Sequence, residues 1–195
     1  ILTVNDCANI ILAADGTPSM ADHIDGVAEA LSCVQALVCN MGAIALTDSM
    51  IVGGKEANRR KIPVVLDPVA VGGTQLRRDA AKRLLEEVHF TAIRGNASEI
   101  RYLAGQQTTG AGVDVSELDA ITEENLPEAQ EMIKNLAKSL GTVIAVSGVI
   151  DLVSDGERTM VLRNGCATMS RITGSGCMLT SMIGAFVGAA TEDPF

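Results

Sequence analysis

The sequence predicts an α/β domain: a mostly parallel central sheet, helices on both faces, and an antiparallel hairpin at one edge. Three observations predict it. Short aliphatic runs alternate with stretches of helical spacing, the pattern of repeated strand–helix–strand units. Hydrophobic residues make up 47% of the 195 positions but aromatics only 2%, so Val, Ile, Leu, Ala and Met must build the interior. Such a core suits helices lying close on a sheet. Finally, Asp155-Gly156 stands between two strand-like runs and is a favoured hairpin turn pair.

The elements follow in order. Ala36 to Met41 is a short apolar run and reads as the first buried strand. Asp48 to Lys61 reads as a helix and Ile62 to Asp67 as the next strand. Arg77 to Val88 has helical spacing at Ala81, Leu84, Leu85 and Val88. Phe90 to Ile93 is strand-like, and Ala97 to Leu103 a short helix. Gly105 to Asn125 is polar and reads as a loop or insertion. Pro127 suits the first turn of a helix running to about Leu140. Thr142 to Val146 is another buried strand, and Val149 to Val153 pairs with Thr159 to Leu162 across the hairpin turn. A long helix follows Gly176, with Met178, Leu179, Met182, Ile183 and Phe186 on one face. No repeat or linker interrupts the chain, so residues 1–195 are expected to form a single domain.

Composition excludes several function classes. A formal net charge of -9 argues against nucleic acid or an anionic membrane as partner. It leaves nucleotide ligands open, because phosphate sites are local and can be built from backbone N–H groups. The five cysteines are odd in number and include no CxxC, which suggests neither a disulfide framework nor a zinc ribbon. Two histidines are too few for a typical zinc site, and His23 and His89 read as surface or packing residues. No stretch is apolar enough to span a bilayer, and the first residues lack a basic-then-apolar leader; a cytoplasmic protein is expected.

Ligands in such sheets sit at the carboxyl ends of the strands, and the chemistry-bearing residues lie there. Thr173-Gly174-Ser175-Gly176-Cys177 precedes the last helix. Two glycines permit close backbone approach, and the helix start offers unpaired N–H groups with partial positive charge, which suits phosphate. The same pattern also serves as an ordinary glycine-rich entry to a helix, and GxxxxGK[ST] is absent. Cys177 at that helix start is expected to have a lowered pKa and so to accept or orient an alcohol proton. A role as a small buried hydrophobe fits Cys33, Cys39 and Cys166 better. Arg94, at a strand end, can fork onto phosphate oxygens. Asn96 is a candidate N-cap with Glu99 as its capping-box partner, a role compatible with metal binding by Glu99. Asp67-Pro68 offers a carboxylate for Mg²⁺ or a plain turn, and Ser147-Gly148 a nucleotide contact or a plain strand end.

DPVAVGGT (Asp67 to Thr74), RGNASEI (Arg94 to Ile100), VSG (Val146 to Gly148) and TGSGC (Thr173 to Cys177) together resemble hydroxyethylthiazole kinases. GxGC stands where other ribokinase-like enzymes carry GxGD. NIILAADGTPSMAD (Asn9 to Asp22) and CNMG (Cys39 to Gly42) resemble the family's substrate-side region. The resemblance implies a ribokinase-like fold and a homotrimer with active sites at subunit boundaries. It implies ATP- and Mg²⁺-dependent phosphorylation of 4-methyl-5-(2-hydroxyethyl)thiazole in thiamine salvage. By position, Met20 and Gly42 would lie at the thiazole, with Gly174 bordering it, and Arg94, Asn96 and Ser147 would bind ATP. Gly174, Ser175 and Gly176 would form the anion hole, Cys177 would stand in the place of the usual aspartate base, and Asp67 and Glu99 would serve the metal. Ser147 replaces the Thr of many relatives and Ser175 their Ala. Relatives begin earlier and continue for several helices, so this sequence is expected to be part of a longer chain. Hydroxymethylpyrimidine kinase is a neighbouring alternative decided only by the substrate pocket. NAD(P)H-hydrate dehydratase would favour an acidic residue in place of Cys177. A nucleotide-binding regulator without turnover is separated by asking whether ATP hydrolysis depends on an alcohol acceptor.

Overall fold

The computed structural model describes residues 3–106, 120–190 and 195. Six strands form one sheet in sequential order: β1 (Leu37–Asn40), β2 (Val64–Asp67), β3 (Ala92–Asn96), β4 (Val143–Ser147), β5 (Asp151–Ser154) and β6 (Thr159–Leu162). The first four run parallel, while β5 and β6 add the predicted antiparallel hairpin at the edge.

Alternation along each strand sorts side chains to two faces. Cys39, Val64, Leu66, Ile93, Ile144, Val146 and Leu152 enter the large core, together with residues of α3 (Thr47–Arg60), α4 (Gln75–Glu87) and α6 (Leu126–Leu140). Val65, Ala92 and Val143 point the other way, where Val38, Val153 and Ile183 of α7 (Ser175–Ala189) pack on them. Helices thus cover both faces, as a parallel sheet requires.

Local signals place most boundaries. Thr74 caps α4 by accepting from the Arg77 N–H, and Pro127 sits in the first turn of α6, which Gly141 ends at φ +61°. Asn96 and Glu99 form the predicted capping box of α5 (Ala97–Leu103). Of the expected loop from Gly105 to Asn125, residues 107–119 lie outside the described residues. Asn125 closes the turn before α6, accepting from the Thr122 N–H and donating to the Ala120 carbonyl.

Two helices lie where the apolar spacing predicts none: α1 (Val4–Ala13) and the single turn α2 (Val27–Ala30). Helix α1 buries no residue fully and packs on α7 rather than on the sheet, so it carries no clean apolar stripe. The face of α7 also differs from the apolar spacing. Leu179 and Phe186 are exposed, and the buried positions are Thr180, Ser181, Gly184 and Val187. Small residues on that side let the helix lie low on the sheet. A Cβ at Gly184 would collide with the Val38 side chain. Gly184→Val is therefore expected to cost about 2 kcal/mol through overpacking, checked by the shift in urea midpoint. Of the cysteines expected inside, only Cys39 is buried. Cys33 and Cys166 are exposed because each sits at an end of a short 3-10 turn on the surface.

Candidate active site

The period-2 rule assembles the site. Asn40 follows Val38 by two positions, Asp67 follows Val65, Arg94 follows Ala92, and Ser147 lies four beyond Val143. All four therefore point to the α7 side at the carboxyl ends of the parallel strands. Register sets Asn40 beside Asp67 and Asn96 beside Ser147. Arg94 and Asn96 fall inside β3 rather than after it, because the strand continues to Asn96.

Helix α7 brings its first turns onto this row. Gly174 enters it at φ +79°, a left-handed conformation that favours glycine, and lies against Thr3, where a Cβ would clash. A Cβ on Gly176 would stand 2.6 Å from Arg94 Nη1, so glycine admits the guanidinium against the helix start. Arg94 Nη2 donates to Ser147 Oγ. Its Nε is buried with no hydrogen-bond partner among the described groups, an orphan donor that calls for an acceptor.

Asp67 is 1% exposed. Its Oδ2 accepts from Asn40 Nδ2 at 3.0 Å and from Thr180 Oγ1 at 2.9 Å. Burial pushes its carboxyl above the ordinary range, while the Arg94 charge and the hydrogen bonds from Thr180 and Cys177 pull it back. Glu99 is 5% exposed and accepts from two backbone N–H groups, Ala70 to Oε1 and Asn96 to Oε2, both at 2.8 Å. Burial nonetheless raises it from 4.5 to about 7, with the charge of Asp67 pushing the same way.

The lowered pKa expected for Cys177 is not what the structure gives. Burial and then the negative charge of Asp67 raise it, outweighing hydrogen bonds from Asn40 and Thr3. The helix start favours a thiolate, but the neighbouring carboxylate already occupies that positive field. Cys177 is therefore a neutral thiol beside Asp67. Gly42 donates its N–H to Asn40 Oδ1 at 2.8 Å, which ties the predicted substrate loop to the same row. Met20 is 48% exposed in the segment after α1, and among the described residues no hydrogen bond joins it to the others. A cavity of about 360 Å³ lined by Val88, Phe90, Leu140 and Thr142 lies at the amino ends of β3 and β4, the opposite pole.

Among the described residues, no three of His, Cys, Asp and Glu gather as a metal set. Two buried carboxylates, with the Asp67 charge raising Glu99 further, do fit a divalent cation completed by phosphate and water oxygens, the usual manner for Mg²⁺.

Known proteins resemble this chain in sequence and fold. A sequence model of the Hydroxyethylthiazole kinase family matches residues 1–195. The hydroxyethylthiazole kinase of Clostridium beijerinckii is 47% identical over 193 residues, which are 98% of this chain and 69% of the relative. The chain belongs to the hydroxyethylthiazole kinase family. The enzyme of that name from Desulfovibrio desulfuricans is 46% identical over 97% of the chain and 67% of its own length. The solved hydroxyethylthiazole kinase of Pyrococcus horikoshii matches with TM-score 0.84 and 32% identity, covering 97% of this chain and 69% of that one. A Bacillus subtilis pyridoxal kinase matches with TM-score 0.53 and 24% identity over 75% of this chain and 55% of its own; it shares the ribokinase-like fold alone.

Two residues of this family member's site lie outside every motif, Thr180 and Thr3, and Asn40 lies within CNMG with no role of its own assigned. Asn40 had a signal, a polar residue closing an apolar strand in step with Val38, and Thr180 another, a hydroxyl inside an apolar helix. Thr3 had none, since only the docking of α1 on α7 brings it near.

The raised Glu99 predicts a pH dependence in protein free of divalent cation. Native Glu99 keeps a proton between pH 4.5 and about 7 that the unfolded chain has released. The unfolded state binds fewer protons in that window, so stability falls as pH rises through it and is flat above. The loss is expected to approach 3 kcal/mol, and Glu99→Gln, which keeps the capping box, should remove most of it. Urea unfolding at pH 5 and pH 7.5 checks this.

Proposed function

We propose that this chain transfers the γ-phosphoryl group of ATP to the hydroxyl of 4-methyl-5-(2-hydroxyethyl)thiazole, the salvage step that returns the thiazole to thiamine synthesis. The observation that carries the reading is the meeting of Arg94, with its orphan Nε, and the glycine-lined start of α7 beside buried Asp67. Phosphoryl transfer asks a protein mainly for positioning and charge neutralisation, and this cluster supplies both.

In this reading Arg94 lays its guanidinium on phosphate oxygens, Nε finding the acceptor it lacks, while Ser147 holds the other side of the fork. Asn96 stays at the strand end beside Ser147, on the ATP side. The N–H groups of Gly174, Ser175 and Gly176 form an anion hole at the helix start, where the peptide dipoles favour negative charge. Asp67 and Glu99 would hold Mg²⁺, which when bound neutralises phosphate charge. The thiazole lies between Met20, Gly42 and Gly174, with its hydroxyl at Cys177. As a neutral thiol hydrogen-bonded to Asp67, Cys177 orients the alcohol and takes its proton late, as its own S–H proton passes to the Asp67 carboxylate, a secondary contribution. We further place the enzyme in the cytoplasm, where ATP is supplied, and read it as a homotrimer with sites at subunit boundaries. Exposed Leu12, Leu179 and Phe186 support the trimer, as apolar surface on α1 and α7; light scattering checks its mass. Among the described residues no helix is long and apolar enough to cross a membrane.

The test is ADP release with ATP, Mg²⁺ and hydroxyethylthiazole, against hydroxymethylpyrimidine and no acceptor. Release that requires the thiazole is expected; release only with the pyrimidine sinks the substrate, and no acceptor dependence sinks the kinase reading. Cys177→Ala should keep measurable turnover, roughly one part in a hundred, the low end of general-base effects. Cys177→Asp should also be functional. Loss of all turnover in both variants, with folding intact, would make Cys177 essential instead.

A further inference from the structure

Two donors, one inside the CNMG segment and one inside α7, converge on a single oxygen of Asp67. Asn40 Nδ2 and Thr180 Oγ1 reach Oδ2 from β1 and from α7, at 3.0 and 2.9 Å. Thr180 Oγ1 also lies 3.2 Å from the Gly176 carbonyl. Both neighbours are acceptors and the hydroxyl has one hydrogen, so the shorter, charge-assisted bond to the carboxylate takes it. Thr180 is fully buried and cannot turn to water instead. Asn40 uses its other end as well: Oδ1 accepts the Gly42 N–H at 2.8 Å, and its side chain also hydrogen-bonds Cys177. One amide thus touches the acceptor-side loop, the thiol and the carboxylate.

We propose that Asn40 and Thr180 are positioning residues: they pin Asp67 by Oδ2 so that its other oxygen faces the cation-bearing phosphates. Asn40 in addition couples that orientation to the acceptor loop through Gly42. The inference rests on the proposed cation and nucleotide role of Asp67, and its kinetic arm on the acceptor as well. Removing either donor frees rotation of the carboxylate and leaves one oxygen less satisfied in a buried place. Removing Asn40 also frees the Gly42 loop, so the two variants should differ in what they do to the acceptor.

The experiment measures Mn²⁺ affinity in the presence of ADP by electron paramagnetic resonance, alongside kcat and KM, for Thr180→Val, Thr180→Ser and Asn40→Ala. Thr180→Val is expected to weaken Mn²⁺ binding and lower kcat about tenfold, the low end for residues that orient metal-side ligands, with the acceptor KM little changed. Thr180→Ser should restore both. Asn40→Ala should weaken Mn²⁺ similarly and raise the acceptor KM as well. In an Asp67→Asn background, Thr180→Val should add little, because its effect runs through that carboxylate. Wild-type Mn²⁺ affinity in Thr180→Val, equal damage in Thr180→Ser, or a full effect persisting in Asp67→Asn overturns the proposal. Should Thr180→Val not fold, unchanged Mn²⁺ affinity in Asn40→Ala overturns it. The Mn²⁺ measurement needs no acceptor, so it stands even if the thiazole proves to be the wrong alcohol.

Discussion

Arg94→Ala is expected to lower kcat/KM for ATP by about 10²–10³-fold, the usual loss when a preorganised donor to a developing anion is removed. Arg94 is 8% exposed and already placed: one terminal nitrogen rests on Ser147, another lies over Gly176, and Nε waits without a partner. Little reorganisation is needed when phosphate arrives. Arg94→Lys should recover little, since a single ammonium cannot hold Ser147 and fork onto phosphate together. Gly176→Ala tests the same contact from the helix side. Its Cβ would push on Nη1, so a loss of about tenfold is expected, the cost of a misplaced group. Initial rates at varied ATP give these values, and a change below threefold in Arg94→Ala removes it from the nucleotide site.

Asp67→Asn should separate activity from stability. The change keeps the shape of the side chain but removes its charge. Turnover is expected to fall at least a hundredfold, because charge neutralisation at the phosphates is worth several kcal/mol. In protein free of divalent cation, the same variant should melt at a higher temperature than wild type. Burial disfavours the ionised carboxylate, as its raised pKa shows, and an amide escapes that cost. A variant that loses both activity and melting temperature would mean that Asp67 holds the strand ends together, with no functional cost stored in its charge. Scanning calorimetry with EDTA, paired with the ADP assay, decides it.

What was legible in the chain follows from local chemistry. The four parallel strands, α3 to α6 and the late hairpin were visible because each carries its own signal, such as Pro127, Asp155-Gly156 or the Asn96–Glu99 box. Helices α1 and α2 were not, because neither packs an apolar stripe on the sheet. In the site, glycines and strand-end polar residues pointed to phosphate chemistry, and the structure does bring Asp67, Arg94, Ser147, Gly176 and Cys177 to one place. The thiol's pKa was not legible from the helix start, because burial and the Asp67 charge outweigh the helix field. Its pKa depends on Asp67, 110 positions away in sequence.

The sequence by itself determined the strand alternation, and with it which side chains share a face: Val38 with Asn40, Val65 with Asp67, Ala92 with Arg94. Period two is a local property, so it needs no partner to be read. Only the tertiary structure decided that α7 would cross that face with its small residues down. Nothing local in the helix predicts this, since Leu179 and Phe186 of its apolar face lie exposed while Ile183 packs on the sheet. That packing brings Thr180 to Asp67 and Gly176 to Arg94, and it turns four separate strand ends into one charged, buried site.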